Sequence, residues 1–114
     1  MEDVIREARD GPEYLYISFG FDTLDPVFVP GTGTPEPGGL TPREAFPIVR
    51  RLCAETNVIG FDLVELAPER DPTYVSALNA NRIVRECLTG IAMRKKGITE
   101  EEYLSPLTVD DGRD

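Results

Sequence analysis

Val4, Ile5 and Ala8 recur at helical spacing within the otherwise polar stretch 2–10, which predicts a short helix with one apolar stripe. Gly11-Pro12 ends it. Residues 14–19, Tyr-Leu-Tyr-Ile-Ser-Phe, are nearly all apolar and rich in β-formers. A continuous run of that kind predicts a strand buried on both faces of a parallel sheet. The next stretch, residues 20–40, holds most of the prolines and glycines and reads as one long, functional loop. Thr41 then offers an N-cap, Pro42 suits the first helical position, and Glu44 completes a capping box. The helix predicted over 42–55 gathers Ala45, Phe46, Val49, Leu52 and Cys53 on one face, and Pro47 inside it should kink or loosen its first turns. Residues 57–66, NVIGFDLVEL, form a second apolar run that reads as a second buried strand. A loop over 67–72 leads to a long helix over 73–96, with Val75, Leu78, Ile83, Leu88 and Ile91 among its apolar positions. Gly97 follows Arg94, Lys95 and Lys96 as a plausible C-cap. From Ile98 the chain predicts a short turn at 99–102 and then an acidic, frayed end, so that 98–114 is tail.

The predicted order is α-β-α-β-α. Two strands joined through a helix make one right-handed βαβ unit, so the class is α/β with parallel strands. The 114 residues show no internal repeat and no domain boundary, and read as a single segment.

Charge removes several function classes. The formal net charge is −9, against the clustered Lys and Arg that a phosphate backbone needs, and equally against an anionic membrane surface. No apolar run approaches the ~20 residues of a membrane span. With 40% hydrophobic and 29% charged residues the chain reads as soluble and globular. Cys53 and Cys87 have no CxxC spacing, and Met1 is followed by Glu2 and Asp3 rather than a basic, apolar leader. Both features lead us to expect a cytoplasmic protein. Histidine is absent, so a metal would be held by Asp, Glu or Cys, or by residues of another chain.

In open parallel sheets ligands bind beyond the carboxyl ends of the strands. Asp22 and Asp25 follow the first predicted strand, and Asp62 and Glu65 lie in and at the end of the second. Converging carboxylates could bind a divalent cation or grip a guanidino group through paired hydrogen bonds. Each also has a plain structural reading. Asp25-Pro26 is a turn starter. Asp62, inside an apolar strand, needs hydrogen-bond partners and could satisfy loop amides. The GTGTPEPGG stretch resembles a phosphate loop in glycine content only, without GK[ST] or GxGxxG.

The residues themselves carry further. Ser18-Phe19-Gly20-Phe21-Asp22-Thr23-Leu24-Asp25-Pro26, then residues 30–41, PGTGTPEPGGLT, closely resemble the ureohydrolase signature S-F-D-x-D-x-L-D-P followed by A-P-G-T-G-T-P-E-x-G-G-L-T. Gly60-Phe61-Asp62-Leu63-Val64-Glu65-Leu66-Ala67-Pro68 is similar to that family's G-x-D-[LIV]-V-E-[LIV]-x-P block. Two long blocks at family spacing make the likeness specific, and it extends over most of the chain. The wording of the loop leans towards the agmatinase and guanidino-acid branch.

The resemblance implies part of a three-layer α/β/α ureohydrolase fold, its C-terminal part. It implies two manganese ions, or nickel, that activate a water for attack on a guanidino carbon, with release of urea. By the same resemblance Asp22 matches a metal ligand, Glu65 the glutamate that receives the guanidinium, and Thr34 a threonine lining the site. Asp25 and Asp62 match scaffold positions. One departure matters: the first aspartate of S-F-D-x-D is Gly20 here. The family's G-G-D-H and D-A-H-x-D motifs are absent as well. Three readings follow: part of a ureohydrolase, inactive by itself; a non-catalytic subunit that docks on a full-length one; or an acidic module whose loop holds a cation. The expected partners are a guanidino small molecule and either further copies of the chain or an N-terminal ureohydrolase segment.

Overall fold

The structure is a computed structural model, which describes residues 1–100 and Tyr103. Five main elements follow the predicted order: α1 (Glu2–Asp10), β1 (Leu15–Gly20), α2 (Pro42–Glu55), β2 (Val58–Val64) and α3 (Val75–Lys96). The strands pair in parallel, Ser18 opposite Asp62 and Phe19 opposite Leu63, with an irregularity after Leu15 that leaves Ile59 without a partner. Among the described residues the sheet has these two strands.

Local signals set the helix ends. Thr41 Oγ1 accepts from the Glu44 amide at 3.3 Å and Glu44 Oε2 accepts from the Thr41 amide at 2.8 Å, which is the capping box the sequence predicts. Gly97 closes α3 at φ +68°, its amide donating to Arg94 O, while the Ile98 amide donates to Met93 O. Pro47 does not break α2: the helix runs unbroken through it, although proline has no amide to offer the Arg43 carbonyl one turn back. The first residues of the predicted long helix, Thr73 and Tyr74, lie outside it, because Tyr74 takes a left-handed conformation at φ +62°.

The core lies between the sheet and the α2–α3 pair, around Phe21, Leu24, Val29, Ala45, Val49, Cys53, Ile83 and Cys87. Ser76, Ala80, Ile83, Cys87 and Gly90 form the buried stripe of α3. Leu78 and Leu88, predicted among the apolar positions, fall off that stripe and are exposed. Glu86 is 1% exposed and is neutralised by Arg50 at 2.5 Å and by Arg82, whose guanidinium also lies 5.3 Å from the centre of the Phe46 ring.

The strands differ from expectation in one respect that matters. Burial alternates along β1: Leu15, Ile17 and Phe19 pack towards the core while Tyr16 and Ser18 face out. The helices cover one face only, so the described residues supply two layers of the expected three. On the open face Tyr16 is 64% exposed and Ile59 68%, and the Tyr16 ring fills the space left by Gly60, where a Cβ would come within 2.4 Å of it. An open face with Tyr16 and Ile59 exposed and two strand edges unpaired among the described residues invite a partner, and apolar burial stabilises by roughly 25 cal/mol per Å². The isolated chain is therefore expected to self-associate as its concentration rises. Sedimentation equilibrium checks this, and a single monomer mass at every concentration would show that the face is tolerated bare.

Of the predicted tail, residues 98–100 and Tyr103 are described, the Tyr103 amide donating to Glu100 O at 3.0 Å. The remainder of that expectation lies outside the described residues.

Candidate functional site

The loop after β1 begins with a tight 3-10 turn, Phe21–Thr23, in which the fully buried Phe21 anchors the backbone and leaves Asp22 partly accessible. The base of the loop is then pinned. The Asp25 amide donates to Leu40 O and the Leu40 amide to Thr23 O, both at 2.9 Å. Gly39 sits so close to this crossing that a Cβ would come within 2.7 Å of backbone atoms of residues 23–25. Asp25 accepts from the amides of Val27 and Gly38, each at 2.9 Å, and these bonds hold its carboxyl below the usual range. That is the turn-making role its Asp-Pro context suggests, and it leaves Asp25 no part in the site.

The middle of the loop folds back over the strand ends. Thr34 Oγ1 donates to Asp22 Oδ2 at 2.8 Å. Thr32 bridges to Leu66 in antiparallel fashion, and the Ala67 amide donates to Gly31 O at 2.8 Å. Just before Leu66 and Ala67 in the chain, Glu65 turns at φ +69°, a left-handed conformation that costs a residue with a side chain about 1–2 kcal/mol. Glu65 Oε2 lies 3.7 Å from where a Cβ of Gly33 would be. Asp22 thus meets Thr34, and the Glu65 carboxylate reaches the neighbouring Gly33, so that residues predicted from separate stretches gather on residues 33–34. Strain of this kind concentrates where a side chain has a task.

Asp62 does not join them. Its two oxygens accept from Tyr16 Oη at 2.8 Å and Ser18 Oγ at 2.7 Å, on the open face of the sheet. Its partners are hydroxyls of the neighbouring strand rather than the loop amides considered above, and through Asp62 the Tyr16 hydroxyl becomes harder to ionise.

Gly20 stands beside Asp22. Its backbone, φ −73° and ψ 114°, is open to any L-residue, and a Cβ there would lie 3.0 Å from Asp22 Oδ1. A side chain at this position would point to the Asp22 carboxylate, as the ureohydrolase pattern requires of its first aspartate. With glycine in place, the described residues contain no group of three or more Asp, Glu or Cys able to hold a metal. They do not fit a two-metal centre.

Some features were not read from the sequence. Thr32 is 1% exposed and its hydroxyl has no partner among the described residues. Asp71, 4% exposed, and Ser76, fully buried, bind this loop to the start of α3. The Asp71-Pro72 pair could have marked Asp71 as a turn starter, but nothing local pointed to Ser76 or Thr32.

The profile of the Arginase family matches residues 1–90. The chain belongs to the arginase family. Among its relatives, the mitochondrial agmatinase of Gallus gallus is 47% identical over 88 residues, 77% of this chain and 25% of that protein. The mitochondrial guanidino acid hydrolase of Mus musculus is 48% identical over 81 residues, 71% of this chain and 22% of that protein. The crystal structure of a hypothetical agmatinase from Burkholderia thailandensis superposes with a TM-score of 0.74 at 37% identity, over 86% of this chain and 31% of that one. The α/β fold expected from the signature blocks is therefore that of the family. The chain spans about a quarter of the length of these two relatives. All three converging residues, Asp22, Thr34 and Glu65, lie in the matched region.

Proposed function

We propose that the chain is the C-terminal part of an agmatinase-like ureohydrolase and supplies its guanidinium-binding side. The convergence of Asp22, Thr34 and Glu65 on one loop carries this reading. Glu65, exposed and held out by its own backbone turn, offers a carboxylate fork to a planar guanidinium. Thr34 orients Asp22 by occupying one of its oxygens and leaves the other towards the Gly20 side. Manganese or nickel, which this family reading brings with it, would require ligands beyond those present here. The remaining donors would come from an N-terminal ureohydrolase segment or another subunit. The cytoplasm is the proposed compartment, in keeping with two free, buried thiols.

Gly20 favours a second reading, a non-catalytic subunit that keeps the fold and the guanidinium side of the site without the metals. A metal titration bears on both. Calorimetry with manganese should find no site tighter than on the order of 0.1 mM, since affinity falls with the number of charged ligands. Gly20→Asp should tighten it about tenfold by adding a carboxylate next to Asp22, and Asp22→Ala should then remove it. A micromolar site in the unsubstituted chain that is lost in Asp22→Ala would contradict weak binding and revive the cation-holding module, and no gain from Gly20→Asp would refute the assignment of Asp22.

A further inference from the structure

Glu65 is held in a conformation that an isolated chain would leave. Something must therefore fix the backbone on either side of it. Before Glu65 the pairing of Val64 with Gly20 does so, and after it the Thr32–Leu66 bridge and Gly31. Gly31 ties this segment to α3. Its carbonyl accepts from the Ala67 amide at 2.8 Å, two residues beyond Glu65, and its own amide donates to Ser76 Oγ at 2.8 Å. A Cβ on Gly31 would come within 2.9 Å of Ser76 Cβ and Oγ and 3.1 Å of Ala67 O, so the three segments meet without spare room. Ser76 is itself tethered: its amide donates to Asp71 Oδ2 at 2.7 Å, while Asp71 Oδ1 accepts from the Thr73 amide at 2.9 Å and the Thr73 hydroxyl at 2.6 Å.

We propose that Asp71 and Ser76 are positioning residues for the guanidinium-binding carboxylate, a buried clamp at the start of α3 that acts on Glu65 through Gly31 and Ala67. The proposal builds on the reading of Glu65 given above, and extends it to residues that touch neither ligand nor metal. The geometry is economical. One face of Gly31 is tied to the helix that forms the core, the other to the segment leaving β2, and the next residues along the loop are Thr32, Gly33 and Thr34. The Glu65 carboxylate and Thr34, which donates to Asp22, therefore both follow one anchored backbone unit. Ser76, and then Thr73, hold the Asp71 carboxyl well below the ordinary range, so it stays an acceptor through neutral and mildly acid pH.

The experiment is nuclear magnetic resonance on the whole chain with Ser76→Ala, Asp71→Asn and Glu65→Gln, read in two ways. The first needs no ligand. In Ser76→Ala the Ala67 amide should exchange about tenfold faster or more, as a local opening relieved of one buried hydrogen bond does. The Glu65 couplings should lose their left-handed signature, while the amides of Ile83 and Cys87 in the core keep their protection. Asp71→Asn, which retains one acceptor oxygen, should give a smaller change of the same pattern, and serves if Ser76→Ala fails to fold. The second reading is titration with guanidinium chloride at low concentration. Binding should vanish in Glu65→Gln and weaken about fivefold in Ser76→Ala, consistent with loss of orientation. An unchanged Ala67 amide and Glu65 coupling in Ser76→Ala overturn the clamp, whatever the titration shows. Titration that persists in Glu65→Gln overturns the reading of Glu65, and the proposal that the clamp serves a guanidinium site goes with it. Loss in Glu65→Gln with no weakening in Ser76→Ala leaves Glu65 standing and removes the clamp.

Discussion

Incubated with agmatine, guanidinobutyrate or guanidine and excess manganese or nickel, the purified chain should release no urea above background. Catalysis by a pair of metals depends on both ions being fixed, because their joint charge is what activates a water near neutral pH. Here Asp22 is the one ligand that the family pattern matches. Histidine is missing from the sequence, and Gly20 offers no side chain. A carboxylate alone leaves most of a cation's coordination to water, which gives neither affinity nor a fixed geometry. The complementary experiment adds in trans a family segment bearing G-G-D-H and D-A-H-x-D. If the chain is part of a ureohydrolase, urea release should appear with Gly20→Asp and fall by about 100-fold or more when Glu65→Gln is introduced as well, the order of loss expected when a charged binding group is removed from an active site. Turnover by the chain alone would end the account of it as an incomplete site. A complex that forms but stays silent with Gly20→Asp would favour the non-catalytic subunit.

Gly90→Ala should be the most damaging single methyl group that can be added to the fold. Gly90 is buried where α3 crosses α2, and a Cβ there would lie 2.5 Å from Arg50 O, 2.7 Å from Cys53 Cβ and 3.0 Å from Ala54 N. Those are backbone and near-backbone atoms, which cannot swing aside, so relief requires the helices to move apart. Their separation would loosen Ala45, Val49, Cys53, Ile83 and Cys87 together and strain the Arg50–Glu86 pair. Overpacking of this kind costs about 3 kcal/mol or more when rigid atoms are struck, against a whole stability of roughly 5–15 kcal/mol for a small domain. Urea denaturation followed by circular dichroism should show a large fall in midpoint, and Gly90→Val should abolish the cooperative transition. An unshifted midpoint for Gly90→Ala would mean that the α2–α3 contact adapts to the extra volume, and that close approach at Gly90 is not required.

Much of this architecture was legible before any coordinate. Apolar periodicity, the Thr41–Glu44 capping box and Gly97 are local signals, and local signals determine where elements start and stop. The signature blocks carried the family and, with it, the roles proposed for Asp22, Thr34 and Glu65, because such roles belong to residue types at set spacings. The apolar content of the two strands, by contrast, was a poor guide to their surroundings. Tyr16 and Ile59 read as buried and are not, since burial depends on what lies above the sheet, and a strand's composition does not say how many layers cover it.

Tertiary structure decided the rest, and for one reason: hydrogen bonds between distant segments follow from strand register and loop path. Placing Ser18 opposite Asp62 gave this scaffold carboxylate two hydroxyls to accept from, in place of the loop amides. Folding residues 31–34 over the end of β2 brought Thr34 to Asp22 and Gly33 to Glu65. Glu65 has a left-handed backbone that its residue type disfavours, so no propensity could have announced it. It is sustained by the Asp71–Ser76–Gly31 chain of bonds, whose members are unremarkable in sequence and become a unit only when α3 packs beside the loop. The sequence by itself determined which side chains are available to the proposed guanidinium site, and the packing of α3 against the loop decided where they stand.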